Sequence, residues 1–331
     1  MITKYKKLVL ICCLFSICVV GLGAYTRLSD AGLGCPDWPG CYGFLSVPHH
    51  EVHADIVAEN FPGMVVETAK AWKEMIHRYF AGALGIFILG IAIWALYLNK
   101  KELTPIRLPS FLVVLVFVQS TLGMLRVTLQ LRPWIVMGHL LGGFAIFSLI
   151  GLLYMRITSE PIPGGDQGAK RFSTLCIFSL WVLIIQIALG GWLAANYAAP
   201  HCAGLPLCGP DSLSRFSFFD VFHLPLAEST YEYGVLSADS RMSIHLLHRI
   251  WAVVTSTVIL FTLYKLWSSC YSRKIKDCVF TVFIALLAQL SLGVLLILWQ
   301  FPISVALAHN LVAAFLLLSV VRLCYYVKSR C

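Results

Sequence analysis

The sequence predicts an all-α integral membrane protein, with eight transmembrane helices forming two tandem four-helix bundles related by a pseudo-twofold axis along the membrane normal. Three observations predict it. The chain has 331 residues, 59% of them hydrophobic and only 12% charged. That is more apolar surface than a water-soluble domain can hide, and what a lipid-embedded bundle needs. Apolar runs long enough to cross a bilayer recur eight times, and the second half of the chain repeats the first.

The spans lie near residues 8–27, 75–98, 108–128, 135–156, 172–195, 244–267, 277–299 and 303–326. Each is about 20 residues, the length that crosses a hydrocarbon core as a helix. The first could pass for a signal peptide. It has no small-residue cleavage site and runs straight into GLGAYTRLSDAGLG, so it reads as a helix. An even number of spans puts both termini on one side. That side carries Lys4, Lys6 and Lys7, then Lys100, Lys101 and Arg107, then Arg156, Lys170 and Arg171, then Lys265, Arg273, Lys274 and Lys276, and finally Lys328 and Arg330. The positive-inside rule makes it the cytoplasmic side. A net charge of +9 would raise nucleic acid as a partner of a soluble protein. Here the basic loops account for it, so the expected partner is the lipid membrane and not nucleic acid. Two long loops, roughly 28–73 and 196–243, fall on the outer side.

The halves align at an offset of 167 to 171 residues. Cys35 and Cys41 match Cys202 and Cys208. His77-Arg78 matches His248-Arg249. Gln119-Ser-Thr-Leu-Gly123 matches Gln289-Leu-Ser-Leu-Gly293, and His139 matches His309. Leu and Val align by chance in apolar sequence; four His, four Cys and two Arg in register do not. The expected division is 1–160 and 161–331, each half starting in the cytoplasm, hence parallel repeats.

His77, His139, His248 and His309 all fall near the outer ends of even-numbered spans. A lone membrane histidine is often a packing residue. Two at similar depth in each half suit the two axial positions of a heme. Zinc is the alternative metal, but no Cys or carboxylate lies at equal depth to complete its shell. Arg78 and Arg249 point about 100° away from the preceding His and are candidates for heme-edge propionates, with snorkelling as the bland alternative. Arg27 is a weaker candidate of the same kind. Three residues before His77 stands Glu74; three before His248 stands His245. Positions i and i+3 share a helix face. One half therefore sets a carboxylate beside its iron ligand, able to take a proton or stabilise a developing cation. The bland reading is an interfacial Glu near solvent or Lys73.

Of twelve cysteines, Cys12, Cys13, Cys18, Cys176 and Cys324 read as embedded and Cys270, Cys278 and Cys331 as cytoplasmic, all as packing or free thiols. The two Cys-x5-Cys pairs lie on the oxidising side and read as disulfides Cys35–Cys41 and Cys202–Cys208, with a redox role for the first as the alternative. The run His49-His50-Glu51-Val52-His53 reads as a solvated loop rather than a metal site, as do His201 and His223. Gly142-Gly143 and Gly190-Gly191 permit close approach of a neighbour or a flat cofactor.

Together, the tandem repeat, Glu74-x-x-His77-Arg78, Arg27 ahead of the CPDWPGC loop, and His139, His248 and His309 resemble the heme A synthase family, specifically its bacterial, cysteine-pair-containing branch. The likeness covers nearly the whole chain. It departs from the family in the longer first outer loop with its HHEVH run, and in the second outer loop around Tyr231-Glu232-Tyr233. The resemblance implies an oxidoreductase of the bacterial inner membrane. It would convert heme O to heme A by successive hydroxylations of the C8 methyl group to a formyl group, supplying cytochrome oxidase. It implies a heme b cofactor on His248 and His309, and the heme O substrate on His77 and His139. Glu74 would be the catalytic carboxylate, Cys35–Cys41 the functionally sensitive pair and Cys202–Cys208 the structural one. The partner it implies is a heme O synthase; the identity of the electron acceptor, and whether copies of the chain form a homo-oligomer, are left open by the sequence. The contrasting readings are a diheme b-type electron carrier and a heme transporter or chaperone.

Overall fold

The computed structural model describes all residues except 49, 101–104, 161, 164, 226–227 and 329–331, and except the side chains of 50–52 and 54. The first part of the HHEVH run, Lys101, Arg330 and Cys331 therefore lie outside the described residues. Among the described residues, eight helices are long and apolar enough to cross a membrane: α1 (Ile2–Leu28), α3 (Thr68–Asn99), α4 (Arg107–Thr128), α5 (Pro133–Thr158), α7 (Ser173–Ala195), α9 (Ala238–Ser269), α10 (Arg273–Leu298) and α11 (Ile303–Lys328). Three short helices join them: α2 (His50–Asn60), α6 (Gln167–Lys170) and α8 (Phe218–Phe222). Among the described residues there is no strand, only an isolated bridge between Cys41 and Phe44. Large apolar residues in mid-helix, such as Ile86, Phe117 and Val253, stay exposed. In a lipid solvent that is expected, because burial against another helix gains little over burial in acyl chains.

Several helices extend past their apolar windows. α3 begins at Thr68, two turns before the expected start near 75. Those turns (TAKAWKE) are mostly polar and invisible to hydropathy, yet Ala71 on them, with Met75 just beyond, is buried against Cys35, Cys41 and Tyr42. α9 starts at Ala238 because Ser237 caps it, its side chain accepting from the Ser240 N–H at 3.1 Å. The stretch around His53 is helical as α2, not a solvated loop. Packing rather than propensity accounts for it: Val57 is buried in the same cluster as the Cys35–Cys41 loop, while the His53 ring lies 4.5 Å from that of Phe44.

The chain divides into two compact units, Met1–Ile146 with Ala227–Glu232, and Phe147–Leu226 with Tyr233–Cys331. The boundary falls inside α5, ahead of the loop near 160. In the first unit α1 packs on α3 and α3 on α4. Tyr231, returning from the second long loop, donates its N–H to the Gln130 carbonyl at 3.0 Å. In the second unit α7 packs on α9, α9 on α10, α10 on α11 and α11 on α7. That closes a four-helix ring in which α9 and α11 are diagonal.

Local backbone geometry repeats at the sequence offset. α4 ends with Gln130 and Leu131 both left-handed (φ 49° and 62°), and α10 ends with Gln300 and Phe301 likewise (57° and 61°). The Leu131 N–H reaches the Arg126 carbonyl at 2.8 Å, as the Phe301 N–H reaches that of Leu296 at 2.7 Å. These are helix C-terminal motifs that use up orphan carbonyls, and Pro133 and Pro302 then stop each helix from continuing. Asp30 and Tyr197 play the same part after α1 and α7 (φ 48° and 52°).

On the cytoplasmic side expected from charge, Asp166 caps α6, accepting from the Ala169 N–H at 3.0 Å, and also accepts from the Tyr271 and Ser272 N–H groups, each at 2.7 Å. Burial pushes its carboxyl up, but these donors and that of Gly168 outweigh it, and the pKa lies below the ordinary carboxylate value.

Candidate functional site

In the first unit α3 carries Glu74, His77 and Arg78, and α5 carries His139. The two imidazoles meet at 6.5 Å between centroids, 83° apart in plane. Each ring lies against a glycine of another helix. A Cβ on Gly23 would come within 2.8 Å of His77 Cε1, and one on Gly123 within 3.4 Å of His139 Cε1. The second unit repeats this: a Cβ on Gly190 would stand 3.1 Å from His248 Cε1, and one on Gly293 3.4 Å from His309 Cε1. The four residues sequence reading selected as iron ligands thus each lie against a glycine, closely enough at Gly23 and Gly190 that a Cβ would press on the ring and at ordinary contact distance at Gly123 and Gly293.

Glutamines frame the same rings. Gln119 Nε2 donates to the His139 carbonyl at 2.6 Å. Gln289 Nε2 lies 3.1 Å from His309 Nε2. Gln186 Nε2 lies 3.2 Å from His248 Nδ1 and donates to the His248 carbonyl at 3.2 Å. At the position matching Gln186 the first half has Val19. Nδ1 of His77, His139 and His309 is buried without a hydrogen bond of normal geometry. Buried polar atoms are seldom left so. A ring whose nitrogens are spared for metal and second-shell contacts is one that can ligate. Among the described residues no three His, Cys, Asp or Glu converge as a metal-ion site. Two histidines per unit, drawn in the second from the diagonal helices α9 and α11, fit heme rather than zinc.

The units differ beside these rings. Glu74 is fully buried. Its Oε1 accepts from Arg78 Nη2 at 2.7 Å and lies 3.7 Å from Arg126 Nη2, while its Oε2 accepts from the Cys35 N–H at 3.0 Å. His245, at the matching place, turns its Nδ1 to the Ala199 carbonyl at 3.1 Å and its ring to Phe301. Where the first unit has Arg126 the second has Leu296.

Both disulfides are present, Cys35–Cys41 and Cys202–Cys208. The arginines after the iron-ligand candidates hold them. Arg78 donates to the carbonyls of Asp37 (2.8 Å), Pro39 (3.3 Å) and Gly40. Arg249 donates to those of Gly204 (2.6 Å), Pro206 (3.3 Å) and Cys202. Each guanidinium clamps a Cys-x5-Cys loop, a role sequence reading missed. Arg249 Nε is buried with no partner, leaving one donor for a heme edge. Arg27 pairs with Asp30 at 3.6 Å. His201 lies 3.3 Å from Arg241 Nη1; burial, then that charge, lowers its pKa. His223 stacks with Phe219. Neither joins the histidine sites. Cys12, Cys13, Cys18, Cys176, Cys270, Cys278 and Cys324 are free thiols.

Arg126 and Gln186 also escaped the sequence reading. The available signal was the repeat itself: each is a polar side chain in an apolar span whose counterpart is aliphatic.

A family model for COX15-CtaA, described as cytochrome oxidase assembly protein, matches residues 6–321. The chain is 42% identical to the heme A synthase of Shewanella oneidensis, over 94% of this chain and 93% of that one. It is 25% identical to the heme A synthase of Neorickettsia sennetsu, over 95% and 96%. It is also 25% identical to that of Wolbachia pipientis from Culex pipiens, over 91% of each.

Proposed function

The chain belongs to the COX15-CtaA family, and on that premise we propose that it is an oxidoreductase converting heme O to heme A for cytochrome oxidase. The observation that carries the reading is the inequality of two otherwise matched bis-histidine sites. One has a buried carboxylate held by two arginines and an amide; the other has an imidazole on a carbonyl.

In this reading His248 and His309 hold a resident heme b, with Arg249 at its edge. Bound there, it supplies one-electron relay chemistry. His77 and His139 hold the substrate heme O with its C8 methyl toward Glu74, and Arg27 and Arg78 are its edge residues. With both axial positions taken by imidazole, the substrate iron is a poor site for binding oxygen. The methyl group instead loses two electrons to an external acceptor and takes its oxygen from water, releasing two protons. A second such step and loss of water give the formyl group. Glu74 stabilises the cationic carbon or accepts a proton as water adds. Gly23 and Gly123 let the ligand rings approach α1 and α4 closely, and the Arg78 clamp holds the Cys35–Cys41 loop beside the site. The protein sits in a bacterial inner membrane with both termini cytoplasmic, and works after a heme O synthase.

The test is expression of the wild type and Glu74→Gln in membranes lacking the native enzyme, with extracted hemes identified by mass. Wild-type membranes containing heme A or its hydroxylated precursor, with little of either in Glu74→Gln, are expected. Heme B alone and no conversion of heme O would overturn the reading in favour of a diheme electron carrier. Heme O bound and released unchanged would favour a carrier of heme.

A further inference from the structure

α4 is apolar through most of its length and ends on a cation, Arg126. A basic residue in a last helical turn has two ordinary explanations. It can complement the helix dipole, or it can snorkel to water. Neither fits. α10, the matching helix, has no basic residue in its last turn and ends through the same left-handed pair of residues, so the backbone does not require one. A snorkelling arginine reaches solvent, whereas Arg126 is 6% exposed.

What Arg126 reaches is Glu74. Its Nη2 lies 3.7 Å from Oε1, the same oxygen that accepts from Arg78. The two arginines are not equivalent. Arg78 sits one turn along α3 from Glu74 and is committed to the carbonyls of the disulfide loop. Arg126 comes from another helix, and its backbone is fixed by the Leu131 N–H on its carbonyl. It therefore ties the carboxylate to α4, the helix whose Gly123 seats His139. A buried guanidinium is costly unless it is paired. The two positions change together between the halves: Glu74 with Arg126 in one, His245 with Leu296 in the other.

We propose that Arg126 is a positioning residue for the proposed reaction, fixing the Glu74 carboxylate relative to the His139 side of the substrate site. The proposal rests on the role assigned to Glu74. Displacing a reacting group by about 1 Å costs on the order of 10²-fold in rate, which sets the expected scale.

Full-length Arg126→Leu, Arg126→Gln, Arg126→Lys, Glu74→Gln and the double variant Glu74→Gln/Arg126→Leu are expressed in membranes lacking the native enzyme. Heme A yield is read against resident heme content, measured by absorbance. Arg126→Leu and Arg126→Gln should lose about 10²-fold in heme A yield with resident heme unchanged. Arg126→Lys should recover most of the loss. The double variant should be no worse than Glu74→Gln alone, because both changes remove one interaction. Should Arg126→Leu fail to accumulate, the Gln and Lys variants decide. Wild-type yield in Arg126→Gln beside an impaired Glu74→Gln overturns the proposal and leaves the Glu74 reading standing. So do losses that multiply in the double variant, or loss of resident heme in step with heme A. Normal yield in Glu74→Gln removes the Glu74 reading, and with it this proposal.

Discussion

The two units share almost every feature that could hold a heme and differ in what stands beside it. Both offer two histidines against glycines, a glutamine bonded to one of the histidines, an arginine clamped on a disulfide loop, and matched left-handed turns closing the helices. Only the first inserts an ionic cluster, Glu74 with Arg78 and Arg126. On the proposed function, the comparison separates binding from chemistry. The scaffold supplies the candidate ligand histidines twice, and the ionic side chains that stand beside only one pair, Glu74 and Arg126 against His245 and Leu296, are those the proposal assigns to the reaction. A buried charge inside a membrane is expensive and usually marks function.

The sharpest way to break the comparison is to delete ligands on each side. His248→Ala or His309→Ala should empty purified protein of its resident heme. His77→Ala and His139→Ala should retain that heme and abolish heme A formation. The reverse pattern in heme content would exchange the roles of the units. Next come the notches, whose spacing grades them. Gly23→Ala, with its Cβ 2.8 Å from the His77 ring, should cut heme A yield by about 10²-fold. Gly123→Ala, at ordinary contact of 3.4 Å, should stay near wild type, and equal effects would show that the glycines do not seat the rings. Smaller again is Gln186→Val, which gives the second unit the residue of the first. Loss of the contact to His248 should weaken heme retention by about 10-fold, read by competition with apomyoglobin.

The smallest expected effect lies away from both sites. Asp166→Asn weakens three backbone hydrogen bonds and should cost about 1–2 kcal/mol, read as a lower thermal midpoint in detergent. Because the folded pKa is depressed, this stabilisation is present above the ordinary value of 3.8 and is lost as pH falls through the folded one. The variant should therefore show less acid sensitivity than the wild type.

The spans and the four histidines were legible because apolar length and a repeated ionisable residue both survive in a linear string. The Glu74–His245 difference was legible for the same reason, by aligning the chain with itself. The starts of α3 and α9 were not, since their first turns are polar and are covered by loops rather than lipid. The partners of Arg78 and Arg249 were hidden because they are backbone carbonyls, which carry no residue identity. The glycine notches needed to be known as neighbours of particular rings, which no spacing along one helix reveals. Arg126 was on view as an unmatched cation, but its target lies on another helix.

The arginine clamp has a consequence for descent. It appears twice, on the carbonyls of Asp37 and Pro39 in one loop and of the matching Gly204 and Pro206 in the other, although the loops otherwise differ in sequence; if the halves arose by duplication, the clamp came first. The carboxylate and its second arginine occur once, so they were gained or lost afterwards. The ancestral chain would then have been a four-helix protein with a disulfide loop, an arginine clamp and two ligand histidines. The difference between the two sites is then younger than the fold they share.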